Sequence, residues 1–293
     1  MIWRVLSNLL IAGILSSYSP FLHAQQLTWL IRDWPPAYIS QGPLQGQGTF
    51  DLLTQDLQRE LPQFSHKIQF TSLSAREQKM QLEKPYCFFG AIKTPEREKF
   101  LYYSDIAFLT HGVKLFMRAD SPLNLRLPKE QPVDLIELMQ HKDVLGITEK
   151  KRTYPSAVQQ LIDEHRLSLV HVNENSTNIL QMLVQKRADY LIEFQDRIEY
   201  LSQKMASKTP VSHREIRGEA DIEAVYVACR KTPGAEHTIA AINNALAKLR
   251  PTPLYQQHMV RWTSESMKAH MQQTIAAHPE FKAAESATAQ QAN

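Results

Sequence analysis

Two kinds of side chain stand at spacings suited to recognition: arginines in helical turns and aromatics beside prolines. Arg97 closes the run Thr94-Pro95-Glu96-Arg97, where a capping threonine and a proline at the first helical place start a turn. An arginine fork holds a carboxylate through two parallel charge-assisted bonds; the competing reading is a solvated arginine in a charged turn. Trp34 and Tyr38 bracket Pro35 and Pro36. Rigid aromatic walls suit an apolar stem or a cation, and the alternative is loop aromatics packed into a core. Lys150, Lys151, Arg152, Thr153 and Tyr154 precede a helical pattern. Cations beside a helix N-terminus make an anion subsite, unless the run is a solvated face. Ser176 and Thr177 stand where they can touch a ligand, although capping the helix that follows is the preferred reading.

Other chemistry is not visible. There is no HExxH, GxSxG or phosphate-loop pattern. The histidines scattered from His66 to His278 form no metal-ligand cluster in sequence, which leaves open a site assembled from distant segments. Two cysteines are too few for a disulfide-dense scaffold or a zinc site built mainly on thiolates. A net charge of +3 from 33 basic and 30 acidic residues does not point to nucleic acid. No cofactor and no metal are implied.

These residues need elements to position them. At 293 residues and 43% hydrophobic content, the chain suits one large domain or two modest ones. Arg4, an apolar run over 5–15 and the Leu22-His23-Ala24 end read as a secretory signal peptide over 1–24, cleaved near Ala24. Strands are expected over 26–32, 66–73, 86–92 and 106–120, with helices over 49–61 and 74–84. Thr49 is the expected N-cap of the first helix and Ser74, with Glu77, of the second. A second unit alternates helices at 132–140, 154–165, 176–187 and 197–206 with strands at 143–148, 167–172 and 188–194. That alternation implies a mostly parallel sheet with helices on both faces. A strand at 223–231 and helices at 236–250 and 252–263 follow, and 275–293 reads as a frayed tail.

The order of these segments resembles the periplasmic solute-binding proteins of family 3, the amino-acid type. The resemblance rests on Trp34-Pro-Pro-Ala-Tyr38, on Gly42 to Gly48 leading into Phe50-Asp51-Leu52-Leu53, and on Gly90-Ala-Ile-Lys-Thr94-Pro95-Glu96-Arg97 with Tyr102-Tyr103-Ser104-Asp105. Arg187-Ala188-Asp189 and the Trp262 of MVRW add to it. It implies an α/β fold of two lobes with a ligand cleft and a two-crossing hinge. Lobe one would comprise 25–113 and 223–293, with a flexible C-terminal tail, and lobe two 114–222. It also implies a periplasmic monomer that captures a small carboxylate ligand and passes it to an ABC-type permease. A ligand sensor signalling to a separate membrane receptor, and a cyclohexadienyl-dehydratase-like enzyme, are the alternatives.

By the same resemblance, Arg97 binds the ligand carboxylate and Glu193 receives its amino group. In the dehydratase-like alternative Glu193, or another cleft acid, donates a proton. Arg152 and Thr153 replace the usual Gly-Ser or Gly-Thr pair of lobe two. Ile92 stands where the family has a hydroxyl for the amino group, so an ordinary α-amino acid is an uncertain fit. Cys87 and Cys229 fall on strands that would be neighbours in the family fold, either as a disulfide or as buried thiols.

Overall fold

In the computed structural model, residues 25–172, 178–206 and 209–282 are described. The leader over 1–24, and Ser176 and Thr177, lie outside them. The chain forms β1 (Gln26–Ile31), α1 (Thr49–Glu60), β2 (Ser65–Phe70), α2 (Leu73–Lys79), β3 (Tyr86–Ala91), α3 (Pro95–Glu98) and β4 (Leu101–His111). Next come β5 (Val113–Arg118), α4 (Pro122–Arg126), α5 (Leu135–Leu138), β6 (Gly146–Glu149), α6 (Ser156–Asp163), β7 (Leu169–Val172), α7 (Asn178–Val184), β8 (Tyr190–Phe194), α8 (Gln195–Lys204) and β9 (Val211–Arg214). The chain closes with β10 (Ile222–Arg230), α9 (Ala235–Leu249), α10 (Pro253–Met259), α11 (Glu265–Ala277) and a 3-10 turn, Pro279–Phe281.

Two five-stranded sheets result, in the orders β2-β1-β3-β10-β4 and β7-β6-β8-β5-β9. In the first, β1 runs parallel to β2 and β3, while β10 is antiparallel to β3 and β4. In the second, β6 is parallel to β7 and β8, and β5 is antiparallel to β8 and β9. Each sheet has its own core. Trp29, Leu53, Leu57, Val227, Ile242 and Leu246 fill the first. Leu115, Tyr154, Val158 and Tyr190 fill one side of the second, and Ile179, Leu183, Leu191 and Ile198 the other. Burying each such aliphatic side chain contributes about 1.5–3 kcal/mol.

Gly112 alone separates β4 from β5, and its N–H donates to the Asp221 carbonyl at 2.8 Å. The outgoing and returning crossings therefore lie back to back. A Cβ on Gly112 would stand 1.9 Å from the Ala220 carbonyl oxygen, so a side chain there is excluded. Cys87 on β3 and Cys229 on β10 are joined by a disulfide, which decides the question left open by sequence.

Three local expectations are corrected. Gly48, not Thr49, is the N-cap of α1; Asp51 Oδ2 accepts from the N–H groups of Gly48 and Ile39 at 3.1 and 2.8 Å. A Cβ on Gly48 would meet the Ala37 carbonyl oxygen at 2.4 Å, so only glycine fits. Ser72, not Ser74, caps α2 by accepting from the Ala75 N–H. The chain does not fray at 275: α11 and the 3-10 turn bury Met271, Ile275 and Phe281 against the first core, two of them one helical turn apart. Among the described residues no helix is long and apolar enough to cross a bilayer.

Candidate functional site

Side chains of both lobes meet where strand ends face each other across the cleft. Arg32 and Trp34 follow β1, Gly90 lies near the end of β3 and Ile92 just after it, Glu149 ends β6 and Glu193 lies near the end of β8. Carboxyl ends of parallel strands are where open α/β sheets gather ligands, because the connecting loops part there. Trp34 is positioned by a short antiparallel bridge to Tyr38 around the cis Pro35-Pro36 bond.

Arg97 is not a surface arginine. Thr94 caps the short α3 by accepting from the Arg97 N–H at 3.4 Å. This turns the guanidinium inward, where it is 7% exposed. Its Nη1 donates to the Ile92 carbonyl at 3.1 Å, and its Nη2 reaches Glu77 at 3.4 Å. Arg76 of α2 shares its environment: both guanidiniums lie over the Phe88 ring, at 4.3 Å for Arg76 and 5.7 Å for Arg97. Burial pushes the Arg76 pKa down to about 9, with Arg97 and Arg32 adding repulsion. Its Nε has no hydrogen-bond partner among the described residues.

Lobe two answers with a buried ionic chain. Arg152 grips Glu193 bidentately at 2.5 and 2.6 Å, and Arg197 bonds the same carboxylate from one helical turn away. Arg197 also reaches Glu149 at 2.5 Å, and Arg32 of lobe one closes on Glu149 at 3.6 Å. Burial alone would raise the Glu193 pKa, but Arg152 and Arg197 hold it below the usual carboxylate range. Glu149 is lowered likewise, against its burial, by Arg197, Arg32 and Arg152. Trp34 lies beneath three guanidiniums, those of Arg32, Arg152 and Arg197, at 4.5–5.5 Å.

The arrangement revises several expectations. Glu193 is 0% exposed and saturated by two arginines, so it is not placed to receive an ammonium or to hold a proton at neutral pH. Trp34 forms a wall, and its neighbours are the protein's own cations. Tyr38 lines the cleft floor, but its hydroxyl turns into the core and donates to the Phe89 carbonyl. The helix N-terminus after Arg152 is not an open anion subsite: the Val158 N–H is taken by Glu219 and the Tyr154 N–H by Gln159. Arg152 and Thr153 instead line the cleft from the preceding loop. Arg32, Arg76, Glu149 and Arg197 were missed. Only the Glu193–Arg197 spacing of four gave a local signal, and it straddles the junction of β8 and α8.

The inner chamber is lined by Arg32, Arg76, Arg97 and Arg152, with Trp34, Phe50, Ile92 and Phe194, and by no carboxylate among the described residues. Arg32, Arg97 and Arg152 are paired with Glu149, Glu77 and Glu193, yet with Arg197 five guanidiniums face three carboxylates, and that excess of positive charge attracts an anion.

No protein-family model matches the chain, and no curated protein does. Solved structures do. A mutant of ArgBP from T. maritima superposes with TM-score 0.63 at 19% identity, over 83% of this chain and 96% of that one. A histidine kinase sensor domain with similarity to periplasmic binding proteins gives 0.63 at 15%, over 83% and 97%. The ancestral amino acid-binding protein AncCDT-1, a precursor of cyclohexadienyl dehydratase, gives 0.61 at 18%, over 82% and 95%. The likeness is one of fold: two α/β lobes of the periplasmic-binding-protein type.

Proposed function

We propose that this chain is a divergent relative of the family 3 solute-binding proteins, acting in the periplasm as a monomer. It captures a small carboxylate-bearing anion between its lobes and presents the closed form to an ABC-type permease. The observation that carries this reading is the cationic excess around the inner chamber, where, among the described residues, the guanidiniums of Arg32, Arg76, Arg97, Arg152 and the adjoining Arg197 face only the carboxylates of Glu77, Glu149 and Glu193. An anion touching Arg97 and Arg76 of lobe one and Thr153 of lobe two stabilises closure, because it binds the closed form better than the open one. Contacts already span the cleft, including Arg32 to Glu149 and the edge-on packing of Trp34 against Phe194. The buried Cys87–Cys229 disulfide and the leader pattern over 1–24 support an oxidising compartment.

The ligand differs from an ordinary amino acid in this reading. Ile92 offers its apolar side chain where a hydroxyl would serve an ammonium, and Glu193 is already held by two cations. The same saturation weighs against a dehydratase-like role for Glu193, since general acid catalysis needs a group that holds its proton near neutral pH. A second reading, ligand sensing with the signal passed to a separate membrane receptor, draws on the bilobed fold of the kinase sensor domain. It uses the same cleft.

Thermal shift and calorimetry with carboxylates, their amino derivatives and neutral sugars test the proposal. Carboxylates stabilise the protein, and Arg97→Ala weakens them roughly tenfold or more, the loss of a charge-assisted bond. Stabilisation by neutral or cationic compounds alone overturns it.

A further inference from the structure

Beside the arginine chamber lies a second one, a cavity of about 70 Å³ reaching into lobe one. Its walls include Pro36, Phe108, Val225 and Met259. Trp34, Phe50, Gly90, Ile92 and Phe194 line both chambers, so they adjoin across a shared partition. Gly90 keeps that partition thin: a Cβ there would stand 2.5 Å from the Phe50 ring. We propose that the ligand is an amphiphilic carboxylate, its head beside Arg76 and Arg97 and its apolar tail passing Trp34 into the second chamber. The proposal rests on the anion reading of the cleft and adds the class of ligand.

Among the described residues the second chamber offers no free cation, and its one lining acid, Asp196, has a buried Oδ1 without a hydrogen-bond partner. Arg197 borders it, but its guanidinium is held by Glu193 and Glu149. Asp196 accepts from the Thr263 hydroxyl at 3.2 Å, and burial lifts its pKa to about 6. The Trp262 indole N–H is spent on the Gln47 carbonyl at 2.9 Å. No unpaired cation among the described residues awaits a second carboxylate there, which disfavours a dicarboxylate spanning both chambers. Apolar walls reward a hydrocarbon tail instead, at about fourfold in affinity per buried methylene. Ile92, which removes a polar contact for an ammonium, thereby becomes the apolar threshold between head and tail.

The test is a calorimetric series of acetate, butanoate, hexanoate and 3-phenylpropanoate, with succinate and phenylalanine as comparisons. Affinity is expected to rise about fourfold per methylene from acetate until the chamber is full. 3-Phenylpropanoate should bind at least tenfold tighter than phenylalanine. Thr110→Phe fills the second chamber from β4, and the hexanoate-to-acetate ratio should fall towards one. Should that variant not fold, the wild-type series decides by itself. Equal binding of acetate and hexanoate, tighter binding of succinate than of hexanoate, or an unchanged ratio in Thr110→Phe overturns the amphiphile and leaves the anion site standing. Absence of binding by every carboxylate overturns both.

Discussion

Glu193 sits with no exposure between Arg152 and Arg197, and removing its charge leaves two buried guanidiniums with one carboxylate, Glu149, nearby. Breaking a buried pair costs about 3–5 kcal/mol, because an uncompensated charge stays behind. Glu193→Gln should therefore lower stability by that order in urea titration. The pH dependence has a definite sign. A carboxylate whose folded pKa is depressed stabilises above its unfolded value and loses that stability as pH falls through the folded value. The penalty of Glu193→Gln should thus be constant from pH 8 to 5 and shrink only in stronger acid. A penalty already fading near pH 6 would mean that Glu193 is not held by its arginines. The turn that carries Arg97 was legible from sequence because a local motif, Thr94-Pro95-Glu96, builds it. The Arg152–Glu193 bond was not, since the partners lie 41 residues apart and only the folding of lobe two brings them together.

At the scale of the element, the two crossings at Gly112 and Asp221 and the start of α8 tie the two sheets together. Gly112 packs against the returning crossing with no room for a Cβ. Gly112→Ala should force the crossings apart, lowering the melting temperature and enlarging the radius of gyration in small-angle scattering. An unchanged radius and melting point would show that the crossings yield freely. Asp196, in the first turn of α8, bonds Thr263 of the C-terminal return. Burial raises its pKa to about 6, so the folded state binds its proton more tightly than the unfolded one. Its ionisation therefore costs stability as pH rises between about 4 and 6, and the cost persists above that. Asp196→Asn removes the cost, so its melting temperature relative to wild type should improve from pH 5 to pH 8. A difference that does not vary with pH counts against this. Helix and strand periodicities showed most elements, but caps were misplaced at Thr49 and Ser74. Cap choice follows close contacts, such as that of Gly48 with Ala37, which a local pattern does not contain.

At the scale of the molecule, the disulfide ties β3 to β10 across 142 residues, enclosing the whole of lobe two. In the chain-entropy account such a closure stabilises by about 4–5 kcal/mol. Replacing Cys87 and Cys229 by Ala together should lower stability by several kcal/mol in urea titration while leaving the cleft arginines in place. A loss below 1 kcal/mol would assign the bond a minor role. The sequence by itself determined the two α/β units, a strand close to the observed Ile222–Arg230 and the arginine turn at 94–97, because periodicity and caps are short-range properties of the chain, while the return of that strand to the first sheet was implied only by the family resemblance. Only the tertiary structure decided that Cys87 and Cys229 pair and that Glu193 is spent on Arg152 and Arg197. It alone gathered Arg32, Arg76, Arg97 and Arg152 around one chamber. The reason is physical: charges buried in a cleft choose partners by position in space, and those partners come from strand ends far apart in the chain.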